Sequence, residues 1–308
     1  MESGNHHDAY PPPAMACRAV DAGTKKANGN MSHTFALGVL AGAFIALGAC
    51  FYTTVVTGIP PALIGPSKLV GGLCFSLGLI LVAVGGAELF TGNILIVMSV
   101  LSGKARLAYL IRNWVLVYAG NFVGSLLVAV LAFYAWQWKL GDSVVGATAY
   151  SIAAKKLSLP FETAFCSGIM CNFLVCLAVW LCYSGRTVAD KILAIIFPVT
   201  AFVALGFEHS VANMYFIPYG IMLSRTADFV SSPAASAAIA KHAPSMFTIR
   251  AFLADNLLPV TLGNIVGGGL LVGVIYWFIY LRGTQEQPTQ AFILARAEAD
   301  PASVNSQL

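Results

Sequence analysis

Apolar residues fill most of this 308-residue chain in long blocks, and its charges fall between the blocks. A transmembrane helix needs roughly 20 apolar residues to cross a hydrocarbon layer about 30 Å thick. Four blocks fit one crossing each: Phe35–Val56, Trp114–Trp136, Phe161–Tyr183 and Leu257–Leu281. Two others are too long. From Leu69 to Gly103 the only charge is Glu88, and from Ile192 to Ser224 the only ionisable groups are Glu208 and His209. With a rise of about 1.5 Å per residue, a continuous helix over either would run about 50 Å, so each is expected to break near its middle. The runs Gly85-Gly86-Ala87-Glu88-Leu89-Phe90-Thr91-Gly92-Asn93 and Gly206-Phe207-Glu208-His209-Ser210-Val211-Ala212-Asn213 mark the breaks, because they put Gly, Glu and Asn where apolar helix formers belong. Irregular backbone at that depth survives only inside protein or along a water-filled cavity.

The pattern predicts an all-α integral membrane protein of six spans, the second and fifth discontinuous. The two breaks match: Gly86-x-Glu88 and Gly206-x-Glu208 each precede an Asn five residues on, Asn93 and Asn213. Their flanks match too. Phe35 stands seven residues before Gly42 as Phe161 does before Gly168, and Gly120-Asn121-x-Val123-Gly124 echoes Gly263-Asn264-x-Val266-Gly267. Spans one to three therefore repeat as spans four to six. Three crossings are an odd number, so the second copy runs the other way through the membrane, an inverted 3+3 repeat. Paired interrupted helices in such a repeat point to a permeation or binding site near the midplane.

Composition agrees: 58% of residues are apolar, 10% are charged, and the mean hydropathy is +0.79. A soluble domain carries about 25% charged residues, which excludes an ordinary soluble enzyme, and the scattered Lys and Arg offer no stripe for nucleic acid. Of the 17 Lys and Arg, ten fall on one side of the six-span reading together with both termini, and seven on the other. That bias places the N and C termini in the cytoplasm. Residues 1–33 are read as a polar cytoplasmic segment, 34–283 as the membrane domain, and 284–308 as a disordered cytoplasmic tail. Seven cysteines show neither CxxC spacing nor a Cys/His pattern, so no disulfide framework, metal site or cofactor is expected.

Half-helices starting inside the bilayer aim N–H groups and positive dipole ends into the gap, which favours an anion. Glu88 and Glu208 would repel one if bare, and the matched positions favour a second reading, in which each caps orphan N–H groups as a structural part of its loop. His209 has the apolar Leu89 as its counterpart in the first repeat; it is either a hydrogen-bonded core residue or a functional group titrating near neutral pH. Lys155 and Lys156 could snorkel to the interface. Phe75, Leu79 and Phe202 are core packing or pore narrowing, and Thr91, Asn172, Asn213 and Asn264 either bond between helices or line a pore. A membrane hydrolase would need HExxH or GxSxG, an aquaporin paired Asn-Pro-Ala, and an ammonium channel paired pore histidines; the chain has none of these.

Glu88-Leu89-Phe90-Thr91-Gly92-Asn93, Gly206 to Met214 and Leu258-Pro259-Val260-Thr261-Leu262-Gly263-Asn264-Ile265 resemble the formate/nitrite transporter family, and stretches such as Lys68-Leu69-Val70-Gly71-Gly72 look most like its formate-channel branch. The resemblance covers about residues 8–282. It implies an aquaporin-like fold, a homopentamer with a pore in each protomer, and pH-dependent passage of formate and similar monocarboxylates with protons across the cell (inner) membrane; nitrite transport, or a proton-coupled carrier in place of a channel, is the alternative. Carried over, His209 would be the central pore histidine, Thr91 its hydroxyl partner and Lys156 the anion-attracting vestibule lysine. Leu79, Leu89, Phe90, Phe75 and Phe202 would form the constrictions, with Asn172, Asn213 and Asn264 at polar pore positions. The segment with Pro12, Ala14, Met15 and Ala16 resembles a helix that closes the cytoplasmic mouth.

Overall fold

The computed structural model describes residues 9–283, so the tail from 284 onward lies outside the described residues. Proline at the first position opens α1 (Pro12–Ala27), where its fixed φ suits a helix start, and Lys25 and Lys26 close it at the negative dipole end. The Asn30 side chain then accepts the Ser32 and His33 N–H groups and starts α2 (Met31–Val56). The first half continues through α3 (Ile64–Gly85), α4 (Phe90–Leu101) and α5 (Leu107–Tyr134). The second comprises α6 (Val144–Leu157), α7 (Phe161–Cys182), α8 (Val188–Leu205), α9 (Ser210–Ser224), the short α10 (Ala227–Val230) and α11 (Pro233–Lys241), and α12 (Ala251–Tyr280), which holds two π-helical stretches.

Six helices are long and apolar enough to span a membrane, and the second and fifth are interrupted as the sequence predicts. Both α3 and α8 stop at a glycine in the left-handed region, Gly86 and Gly206, each with φ of 76°. A side chain there would strain the backbone, so glycine ends the helix at little cost. The α4 and α9 half-helices resume four residues beyond these glycines.

Two of the four single-crossing spans begin six or more residues earlier than expected. The third starts at Leu107 and not Trp114, because the Arg112 guanidinium donates to the Ala27 and Gly29 carbonyls and so sits comfortably on the helix. The sixth starts at Ala251 and not Leu257, taking Asn256 inside the bundle.

Glycines set how close the helices come. Gly120 and Gly124 of α5 pack on α2, and Gly263 and Gly267 of α12 pack on α7, both pairs at the small-xxx-small spacing. A Cβ on Gly124 would collide with the Val39 carbonyl, and one on Gly263 with the Phe165 carbonyl. This closeness lets the next residue reach across: Asn121 Nδ2 donates to the Gly38 carbonyl and Asn264 Nδ2 to the Gly168 carbonyl, both at 2.8 Å.

The repeat is longer than the spans alone. Asn113 of α5 donates to the Lys26 carbonyl at the end of α1, and Asn256 of α12 donates to the Lys156 carbonyl at the end of α6. Helix α1, in the segment that sequence set apart as 1–33, is thus the counterpart of α6. Met15, Ala16 and Cys17 of α1 pack with Leu281, so the two ends of the described chain meet at one end of the bundle, as an even number of crossings requires.

Candidate functional site

Each break is rebuilt by one asparagine. Asn121 Oδ1 accepts the Phe90 N–H at 2.9 Å while its Nδ2 donates to the Glu88 carbonyl at 2.9 Å. Asn264 does the same in the other half, with the Ser210 N–H at 3.0 Å and the Glu208 carbonyl at 3.0 Å. Both asparagines are fully buried, so these bonds satisfy groups that water cannot reach.

That corrects the expected role of Glu88 and Glu208. Neither carboxylate caps the orphan N–H groups of its loop; asparagine side chains do. The carboxylates hold side chains instead. Lys26 Nζ lies 3.2 Å from Glu88 and 2.8 Å from Asn93 Oδ1, and Asn93 Nδ2 donates to Glu88 and to Asn113 Oδ1. In the second half Lys156 Nζ lies 2.8 Å from Glu208, and Asn213 Nδ2 donates to Glu208 at 2.6 Å and to Asn256 Oδ1 at 2.8 Å. The fold therefore carries two copies of one Lys–Glu–Asn–Asn cluster. Each cation neutralises the carboxylate beside it, which makes a buried Glu tolerable.

Two cavities flank the loops. One, of about 300 Å³, is lined by Lys26, Glu88, Asn93, Leu79 and Leu89, with α1 lying along it through Arg18, Ala19 and Gly23. The other, of about 280 Å³, is lined by Lys156, Glu208, His209, Phe75, Phe202 and Lys68. Near-equal size follows from the repeat. Leu79 and Leu89 thus stand on the α1 side, and Phe75 and Phe202, in edge contact at 5.7 Å, stand on the α6 side. Phe90 lines neither cavity; its ring packs in the core on Tyr118 and Trp114.

Between the cavities the repeat loses its symmetry. His209 occupies the place of Leu89, and its ring stacks on Phe202 at 5.9 Å. Its Nδ1 accepts the Ala212 N–H at 3.1 Å, capping α9, so in the neutral ring the proton sits on Nε2. That Nε2–H points at Thr91 Oγ1, 3.0 Å away on the opposite loop. Thr91 is itself held from behind, its carbonyl accepting from Asn172 Nδ2 at 3.2 Å and from the Cys176 thiol at 3.3 Å. Neutral donors and the start of α9 converge here, an arrangement that suits a small anion. With Glu208 committed to Lys156 and Asn213, and His209 to Ala212 and Thr91, the two do not converge on a metal.

Sequence reading brought His209, Thr91, Lys156 and Glu208 to this place. Asn172, Asn213 and Asn264 are buried, and their amides bind loop backbone or neighbouring side chains instead of facing either cavity. Sequence reading missed Lys26, Asn113, Asn121 and Asn256. The signal was there: each sits at the repeat counterpart of Lys156, Asn256, Asn264 and Asn113.

Residues 13–278 match the formate/nitrite transporter family. The formate channel FocA of Escherichia coli strain K12 is 46% identical over 285 residues, which is 92% of this chain and 98% of the relative. FocA of Haemophilus influenzae is 43% identical over 265 residues, covering 85% and 91%. Among solved structures, a pentameric formate channel with formate bound superposes with a TM-score of 0.73 at 42% identity, covering 82% of this chain and 98% of that one.

Proposed function

The chain belongs to the formate/nitrite transporter family, and we propose that each copy passes formate across a membrane through the path joining the two cavities. The activity is passage, not catalysis of a covalent change. By likeness to the pentameric channel with formate bound, five copies assemble, each with its own path. The multi-pass fold sits in the cell (inner) membrane with both termini and the α1 cavity on the cytoplasmic side, in keeping with the Lys and Arg bias.

Bare formate would lose its hydration between Leu79 and Leu89 on one side and Phe75 and Phe202 on the other, which is costly for a charge. The Thr91–His209 contact carries the proposal, because it is the polar step between those apolar layers. Formate arriving there displaces Thr91 as the partner of the Nε2–H. Proton transfer to formate then runs through His209, and the neutral acid crosses the apolar layer before releasing the proton on the far side. A proton taken up on Nδ1 must first break the Ala212 cap, so the coupled step includes a local loosening of the α9 start. Lys156 and Lys26 hold the vestibule carboxylates neutralised while this happens, and α1 forms a gate over the cytoplasmic cavity.

Proteoliposome flux tests this reading. Formate should pass faster than nitrite, and an acidic exterior should speed uptake. Flux that needs the proton gradient would make the protein a coupled carrier, and flux without one a channel. A wild-type protein that passes no formate under either condition would rule the reading out.

A further inference from the structure

The two halves differ around the broken loops in two layers. At the path, Leu89, Phe90 and Thr91 of the first half stand where the second has His209, Ser210 and Val211. Behind the path, on the helices that back the loops, Asn172 of α7 takes the place of Ala46 in α2, and Gly268 of α12 takes the place of Ser125 in α5. All four of these backing residues are buried.

Ser125 Oγ lies 3.1 Å from the Gly42 carbonyl and 3.4 Å from the Val211 carbonyl, which holds the His209 loop to α5 alone. The methyl group of Ala46 can make no link between Val211 and Asn121. Asn172 makes the corresponding link on the other side. One N–H of its amide reaches the Thr91 carbonyl at 3.2 Å, and the other reaches the Asn264 carbonyl at 2.7 Å. The Asn264 side chain in turn grips both chain neighbours of His209, the Glu208 carbonyl and the Ser210 N–H, each at 3.0 Å. A line of hydrogen bonds therefore runs from Thr91 through Asn172 and Asn264 to either side of His209. Gly268 leaves the space it needs, since a Cβ there would strike the Asn172 amide.

We propose that Asn172 is a positioning residue for the permeation step, its amide holding Thr91 Oγ1 and His209 Nε2 in register across the two halves. It touches neither the imidazole nor the path, and acts through the backbone of Thr91 and Asn264. The need for such a strut follows from the breaks themselves. A helix interrupted at membrane depth leaves backbone groups without partners along the chain, so its loop is placed by whatever side chains reach it. Thr91 and His209 stand on separate loops, and a misplacement of about 1 Å between groups that must meet in a fixed geometry can cost about 100-fold in rate. The backing layer loses its symmetry where the path does, as a part that serves the Thr91–His209 contact would.

The inference rests on the proposed passage of formate, and one set of measurements separates the two. Flux into proteoliposomes is measured at saturating formate over a range of external pH for wild type, Asn172→Ala, Asn172→Leu, Thr91→Val and the double variant Asn172→Ala/Thr91→Val. Alanine removes the donor and leaves a space; leucine removes the donor and fills it. Both should lower the flux about tenfold or more and alter its pH profile in the manner of Thr91→Val. The double variant should fall no lower than the lower of its two singles, because no hydroxyl is left for the amide to place. Wild-type flux in Asn172→Ala overturns the inference while formate passage stands. Recovery with leucine overturns it as well, since that is a packing role, and so does a uniform drop that keeps the wild-type pH profile or a pair of losses that multiply. Elution as an intact oligomer shows that each variant has folded; if neither Asn172 variant assembles, the amide serves folding and the positioning role is overturned. A wild type that passes no formate overturns both proposals.

Discussion

Thr91 Oγ1 and His209 Nε2 stand 3.0 Å apart although 118 residues separate them in sequence. Each lies on the broken helix of a different repeat, so the contact forms only when the two halves pack face to face. It is also the place where the halves are chemically unlike, a histidine in one matched by a leucine in the other.

Removing the imidazole should remove the coupling of anion to proton. His209→Ala is expected to lower formate flux at least about 100-fold, the usual range for loss of a positioned acid–base group, and to flatten its response to external pH. Stopped-flow uptake at several pH values checks this. An unchanged rate and pH profile would exclude the proton-donor role.

The two Lys–Glu pairs are equivalent in pattern but not in burial. The Lys156 side chain is 14% exposed and Lys26 is 31% exposed. Glu208→Ala strands a more deeply buried cation and should cost about 3–5 kcal/mol, as loss of one partner of a buried pair does. Glu88→Ala should cost less, because solvent reaches Lys26. Thermal unfolding of the purified variants in detergent gives the order, and equal losses would contradict it.

Asn264, fully buried, satisfies the Ser210 N–H and the carbonyls of Glu208 and Gly168. Asn264→Ala should destabilise by about 1–3 kcal/mol for each group left unpaired and shift the loop that presents His209. Asn121→Ala leaves matching gaps behind Glu88 and Phe90. Comparing the two by flux and melting temperature tests the assignment: similar losses of stability, with the larger loss of flux for Asn264→Ala.

Helix approach at the glycine crossings leaves no room for a methyl group. Gly124→Ala and Gly267→Ala should each cost about 1–3 kcal/mol through overpacking, and valine at either position should prevent assembly. Oligomer elution during purification reads the outcome.

Much of this was legible in one dimension. Hydrophobic length and the scarcity of charge determined six spans, and the matched Gly-x-Glu runs determined that two of them break, because a bilayer constrains length and backbone satisfaction so strongly. Likeness to a known family pointed to His209, Thr91 and Lys156. What sequence could not decide was which polar group meets which. Glu208 reads as a cap from its neighbours in the chain, yet Asn264, 56 residues away, makes that cap and leaves Glu208 to Lys156. Phe90 reads as part of a constriction, yet Tyr118 takes its ring. Lys26 reads as a polar residue before the first span, yet it pairs with Glu88. Side-chain partners at membrane depth are chosen by which backbones come close, and that closeness is set by glycine crossings between helices far apart in the chain. The sequence determined the spans, the breaks and the repeat; the packing of one half against the other decided the polar contacts that a permeating anion meets.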